Sequence, residues 1–131
     1  MQDIQHPLWT RGLLGLVALV ILVFTLPAYM NPANNPALAQ LSPETGSLGS
    51  IAGAFLARQL GIALIGVYGV VKGTTQPMLI GAFGLAFFNL HDAVFLTLFG
   101  SGGPGAIAGL VLGGAALAVM LVVSRKAKVQ A

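Results

Sequence analysis

Four long stretches of apolar residues constrain this chain more than any other feature of its sequence. We place them at about residues 9–29, 48–71, 77–99 and 104–123. As helices, which rise about 1.5 Å per residue, all four stretches are long enough to cross a bilayer core of roughly 30 Å. A water-soluble domain of 131 residues could not bury a composition that is 56% hydrophobic and 7% charged. The sequence predicts an all-α integral membrane protein with a single transmembrane domain.

The connections between the stretches predict an up-down-up-down four-helix bundle. Residues 30–47 contain three prolines beside several Asn and Ser residues, a composition that breaks helices and favours turns. We therefore expect a long external loop there. Residues 72–77 are polar and residues 101–105 are rich in glycine, so both predict short turns between antiparallel helices.

The first apolar stretch has an alternative interpretation as a cleaved signal peptide. Arg11 precedes the apolar core, and Ala37-Leu38-Ala39, with alanine at its first and third positions, resembles a cleavage site. However, the apolar run is long for a signal peptide, and the candidate site lies some way beyond it, past Pro27, Pro32 and Pro36. We favour a retained span; cleavage would leave three spans and an external N-terminus.

The basic residues predict the orientation of the bundle. With four spans, both termini and the turn at 72–77 lie on the same side of the membrane, and the other two connections contain no Lys or Arg. Basic residues concentrate on the cytoplasmic side, so we expect an inner-membrane protein with both termini in the cytoplasm. The residues that support this orientation are Arg11, Lys72, Arg125, Lys126 and Lys128.

The sixth basic residue, Arg58, lies inside the second apolar stretch, and an acidic residue, Asp92, lies inside the third. Counted from the outer ends of the predicted spans, Arg58 is about 15 Å deep and Asp92 about 10 Å deep. An unpaired charge in a membrane costs at least roughly 2.5 kcal/mol, so such charges are normally paired and turned toward the bundle or a wet cavity. We predict an ion pair between Arg58 and Asp92 across adjacent helices.

Further polar and aromatic residues surround this predicted ion pair. Asn89 shares a helix face with Asp92, whereas His91 is rotated from it by about 100° and can border the cavity or face a neighbouring helix. The predicted ligand-binding residues are Arg58, Gln59, Phe87, Phe88, Asn89, His91, Asp92 and Phe95. The alternative is that the polar residues only fix the register of the helices.

Several kinds of chemistry find little support in the sequence. The chain has no cysteine, which excludes disulfides, thiolate metal sites and cysteine nucleophiles. Its two histidines, His6 and His91, are far apart in sequence, so we expect no metal or haem. Residues 102–105 lack the lysine and the preceding strand of a phosphate loop. We therefore predict no cofactor and no nucleic-acid partner, and we assign no catalytic residue, although a His91 and Asp92 acid–base unit is chemically feasible.

Small residues recur at every fourth position in two of the spans, a spacing that lets helix backbones approach closely. We expect them to pack within one bundle, and the alternative is a dimerisation face, because the motif itself does not separate the two. The residues are Gly49, Gly53, Ala57 and Gly61 in the second span, and Gly105, Gly109 and Gly113 in the fourth.

The layout resembles the DoxX-like group of small bacterial membrane proteins. The resemblance rests on four short spans, a long first external loop, Arg58 followed three residues later by Gly61, and the aromatic-rich segment 87–92 that ends in Asp92. It covers most of the chain, from Arg11 to Val123. Some members of the group are associated with quinone-linked sulfur oxidation as subunits of larger enzymes. The resemblance implies a small lipophilic ligand or a partner subunit, and it transfers no catalytic residue.

These observations lead to two functional hypotheses. In the first, a cavity in the outer half of the bundle binds a small polar-headed lipophile such as a quinone or a lipid. Arg58 would hold an anionic or carbonyl head group, Asp92 would position Arg58, and the phenylalanines would contact the apolar part. In the second, the protein is a non-catalytic accessory subunit that packs its glycine stripes against a larger membrane complex. Membrane lipid is a partner in both, and a homo-oligomer is compatible with both.

Overall fold

A computed structural model describes residues 5–39, 41–100 and 102–129 of the chain, and this part contains four long α-helices. The helices are α1 (Leu8–Thr25), α2 (Ile51–Lys72), α3 (Thr75–Phe99) and α4 (Gly103–Val129). All four are long and apolar enough to cross a membrane. The predicted all-α fold of a small membrane protein is thus confirmed. Ser101 of the predicted second turn and the side chain of Lys128 lie outside the described residues.

The helices form an up-down-up-down bundle in which each packs against the next in sequence, and α4 also packs against α1. The bundle core contains apolar side chains from all four helices, among them Leu14, Met78, Leu85 and Val119, which are fully buried. The outward-facing positions are also apolar: Leu16, for example, is 57% exposed. A surface of this kind suits contact with lipid chains.

The glycine stripe of α4 packs within the bundle as predicted. A Cβ atom added at Gly109 would lie 2.7 Å from the backbone oxygen of Asn89, and one added at Gly113 would lie 2.6 Å from Leu90. The absence of side chains at these two positions lets the backbones of α3 and α4 approach closely.

The prediction that the stripe of α2 packs within the bundle is wrong for Ala57 and Gly61, whereas a Cβ atom added at Gly53 would clash with the backbone of Leu48 in the preceding loop. Ala57 and Gly61 are exposed, and a Cβ atom added at Gly61 meets nothing within 4 Å. Instead, α2 approaches α3 closely where Gly66 faces Gly81. A Cβ atom added at Gly81 would lie 3.1 Å from the Cα atom of Gly66. This contact fixes the rotation of α2 about its axis and turns the predicted stripe outward. Gly49 lies before the start of the helix.

The segment between α1 and α2 folds back over one end of the bundle. It begins with two short 3₁₀ turns, Pro27–Tyr29 and Pro32–Asn34, and its Leu38 is buried against Ala52 and Leu56 at the start of α2. The predicted external loop is therefore packed onto the helices. We call this end of the bundle, with residues 26–50 and the α3–α4 turn, the loop end, and we call the opposite end the termini end.

At the termini end, the residues before α1 and the first turn of α1 hold the turn between α2 and α3. The backbone nitrogen of His6 donates to the carbonyl oxygen of Gly73 at 2.9 Å, and the Nε of Arg11 donates to that of Val70 at 2.9 Å. Arg11 thus places a positive charge at the carbonyl end of α2, where the helix dipole favours one. Gly73 has φ of 66°, a left-handed conformation suited to glycine.

Candidate functional site

The predicted ion pair between Arg58 and Asp92 is present in the structure. The Nη2 of Arg58 donates to the Oδ2 of Asp92 over 2.7 Å. Both residues lie seven positions from the end of their helix at the loop end, which corresponds to a depth of about 10 Å for each. Equal depth on two adjacent antiparallel helices is what allows this short contact.

The guanidinium group of Arg58 lies over two aromatic rings. Its Cζ is 5.1 Å from the ring centroid of Phe55 and 5.2 Å from that of Phe88. Both distances are within the range of cation–π attraction, which strengthens when the cation is desolvated. The sequence prediction included Phe88 and missed Phe55, although Phe55 precedes Arg58 by three positions and so shares its helix face.

Two buried polar atoms beside the ion pair have no hydrogen-bond partner among the described residues. They are the Nε of Arg58 and the Oε1 of Gln59. An unpaired buried donor or acceptor costs about 1–3 kcal/mol, so native proteins rarely leave one without a partner, either in the protein or in a bound molecule. One of these atoms is a donor, and the other belongs to an amide that can present either a donor or an acceptor by rotation.

These residues line a cavity of about 580 Å³ at the loop end. The cavity lies among all four helices and is lined on the loop side by residues 35–38 and 41. Its volume falls within the range of small-molecule sites, roughly 300–1,000 Å³. The lining is mostly apolar, with polar side chains contributed by Thr25, Asn35, Arg58, Gln59, Asn89 and Asp92.

The cavity brings together five of the eight residues predicted from the sequence: Arg58, Gln59, Asn89, Asp92 and Phe95. Asn89 is held by a hydrogen bond from its Nδ2 to the carbonyl oxygen of Leu85, 2.7 Å away. Among the described residues, the lining does not include Phe87, Phe88 or His91. Phe88 contacts the cavity only through Arg58.

His91 lies on the outward-facing side of α3, with 44% of its side chain exposed. It belongs to a row of rings at every fourth position that runs along the helix: Phe83, Phe87, His91, Phe95 and Phe99. Its closest neighbour in the row is Phe95, which stacks on it with 4.4 Å between ring centroids. Its Nδ1 lies 3.5 Å from Asp92, at the limit of a hydrogen bond. The geometry therefore gives a His91 and Asp92 acid–base unit little support.

The loop supplies cavity residues that the sequence prediction missed. The side chain of Asn35 is buried, donates from Nδ2 to the carbonyl oxygen of Phe24 at 3.3 Å and accepts from the backbone nitrogen of Ala37 at 2.9 Å. The first bond ties the loop to the end of α1, and the second holds a tight turn within the loop. The Asn-Pro sequence at this point predicts a turn, but it gives no sign that the turn lines a cavity.

The second histidine, His6, lies far from this cavity at the termini end. It is 3% exposed, and its Nε2 lies 3.0 Å from the Oγ1 of Thr75. Burial, together with the positive charge of Lys126, lowers the pKa of His6 below its usual value. Among the described residues, no group of three or more His, Cys, Asp or Glu side chains is arranged to hold a metal ion.

Comparison with known proteins adds no assignment to this geometry. No protein-family model matches the chain, and neither the curated proteins nor the solved structures include a match to it.

Proposed function

We propose that this membrane protein binds a small lipophile with a neutral polar head group in the cavity at its loop end. The observation that carries the proposal is the pair of unpartnered buried polar atoms, Arg58 Nε and Gln59 Oε1, on residues that line an otherwise largely apolar cavity. Both atoms are buried, so a rotation of each side chain would bring it to the cavity, where a hydroxyl or carbonyl oxygen can accept from Arg58 and the amide of Gln59 can complement either group. The apolar lining then contacts the rest of the ligand.

The ion pair supports a neutral head group rather than the anionic one considered from the sequence. Asp92 already neutralises Arg58 at 2.7 Å, so the site has no net charge. An anionic head group at Arg58 would lie close to the Asp92 carboxylate, and like charges repel strongly where water is scarce. Arg58 would therefore act as a hydrogen-bond donor to the ligand, and Asp92 would hold the guanidinium in position.

This proposal is tested with two probes that share one tail and differ in head-group charge. Monopalmitoylglycerol is neutral, and palmitate is anionic at alkaline pH. Each is added to the delipidated protein, and its occupancy is followed by native mass spectrometry. We expect the neutral probe to bind at least ten times more tightly. Equal or tighter binding of palmitate would contradict the neutral site.

A matched pair of glutamine variants separates the cavity from general lipid contact. Gln59→Leu removes an amide of the cavity and leaves the ion pair intact, so it should weaken binding of monopalmitoylglycerol. Gln76→Leu makes the same change at an exposed position in the first turn of α3, outside the cavity lining, and should bind like the wild type. Equal binding by both variants would count against the cavity as the site.

A second candidate function, an accessory subunit of a membrane complex, is favoured by the exposed face of α2 and α3. Gly61 faces open space, and His91 is an ionisable side chain on a surface that would otherwise meet lipid. Ionisable residues within membranes usually face protein or water, so a partner helix over this face would explain both features. Gly61→Leu should then release a stoichiometric partner during mild purification, whereas Gly114→Leu, at an equally open glycine on α4, should retain it.

We also propose that the protein is a member of the DoxX-like group. We further propose that it lies in the inner membrane with both termini in the cytoplasm. The resemblance in layout supports the first, and the distribution of Lys and Arg supports the second. A DoxX-like identity would favour a quinone among the neutral lipophiles that suit the cavity.

A further inference from the structure

A second, wholly apolar groove adjoins the cavity between α1 and α4. It has a volume of about 410 Å³ and is lined by Val20, Pro104, Ile107, Ala108, Val111 and Leu112. Three of these residues, Pro104, Ala108 and Leu112, also line the polar cavity. The two spaces therefore lie side by side along α4, with these three side chains between them.

The groove opens to the outside of the bundle. Ile107 and Val111 are each 64% exposed, and among adjacent helices α1 and α4 make the least contact with each other. From Pro104 to Leu112 the groove extends down α4 for about 12 Å, from the loop end toward the middle of the membrane. An elongated apolar space that runs beside a polar cavity and opens toward lipid suits a linear hydrocarbon tail.

We infer that the ligand is an amphiphile with a single long apolar tail, which lies in this α1–α4 groove while its head group lies in the polar cavity. This inference rests on the proposed function, because it assigns the tail of the same ligand. The open side of the groove also gives the tail a lateral path from the bilayer, so the ligand enters between α1 and α4 without passing through water.

The test compares tail lengths in a variant that fills the groove. Monooctanoylglycerol and monopalmitoylglycerol share one head group, but only the longer tail extends well along the groove. Val111 lines the groove and is absent from the cavity lining among the described residues. In Val111→Trp we expect binding of the palmitoyl probe to weaken at least tenfold, toward that of the octanoyl probe, whose own binding stays unchanged.

The matched control is Leu110→Trp, at the neighbouring position of α4, which is 52% exposed and is not among the described residues that line the groove. It should bind both probes as the wild type does. Unchanged palmitoyl binding in Val111→Trp would overturn the tail assignment while leaving the head-group cavity standing. Loss of both probes in that variant would overturn the division into head cavity and tail groove. Absence of binding by the wild type would refute the proposed function itself, and this inference with it.

Discussion

Replacing Asp92 by asparagine tests how much the intramembrane ion pair stabilises the fold. Asp92→Asn keeps the shape of the side chain and leaves Arg58 charged without its partner. Exposed ion pairs contribute about 0–1 kcal/mol, whereas removing one member of a fully buried pair costs about 3–5 kcal/mol. The side chains of Arg58 and Asp92 are 34% and 23% exposed, and the two rings beside Arg58 continue to hold it. We therefore expect an intermediate loss of about 2 kcal/mol in the free energy of unfolding.

A double-mutant cycle isolates this contribution. Arg58→Met retains an apolar stem, and it should also cost about 2 kcal/mol because it leaves Asp92 unpaired. The double variant has no charge left to desolvate, so it should lose no more than either single variant, which gives a coupling energy of about 2 kcal/mol. The free energies come from unfolding in mixed micelles of increasing SDS content, followed by circular dichroism. Mutations at distant, independent sites deviate from additivity by up to about 0.5 kcal/mol. A coupling energy below this value would therefore mean that the ion pair contributes nothing measurable, which would refute the prediction.

Three further predictions concern packing, pH dependence and topology. Gly109→Ala should lower the free energy of unfolding by about 1–3 kcal/mol, because its new Cβ would lie 2.7 Å from a backbone oxygen of α3. Gly61→Ala places its Cβ in open space and should not lower the free energy of unfolding in the same assay. Because the pKa of His6 is lowered in the folded protein, the unfolded chain takes up a proton more readily at this residue. The free energy of unfolding should therefore fall as the pH drops below about 6.5. The His6→Gln variant should lack this pH dependence. Because the chain has no cysteine, a membrane-impermeant maleimide should label Ser42→Cys in intact cells and label Gln76→Cys only after lysis; the reverse pattern would overturn the predicted orientation.

The spans and the ion pair could be predicted because both depend on quantities that are counted along the sequence. Length and hydropathy define the four helices, and counting residues from the helix ends puts Arg58 and Asp92 at similar depth. Helix rotation was harder to predict. The second span has two sets of small residues, and the contact between Gly66 and Gly81 decides that Ala57 and Gly61 face outward. The spacing of small residues within a single span does not reveal that contact, because it depends on the neighbouring helix.

Helix rotation also explains why His91 lies outside the cavity. It follows Asn89 by two positions, about 200° around the helix, so a rotation that points Asn89 inward turns His91 outward. The row of rings from Phe83 to Phe99 at every fourth position was a signal that could have placed it. The role of the loop was beyond prediction from sequence, because the contact of Leu38 with Leu56 depends on the tertiary path of a segment rich in proline.

In the membrane, the cavity beside Arg58 and Gln59 is proposed to hold a neutral lipophile. Native mass spectrometry of protein extracted mildly from its own membrane tests this most directly, with the wild type beside Gln59→Leu and Arg58→Ala. We predict that the wild type retains one small uncharged molecule of defined mass, and that both variants remain helical but lose it. A wild-type protein that is folded and empty, or a bound molecule that persists in both folded variants, would contradict the account.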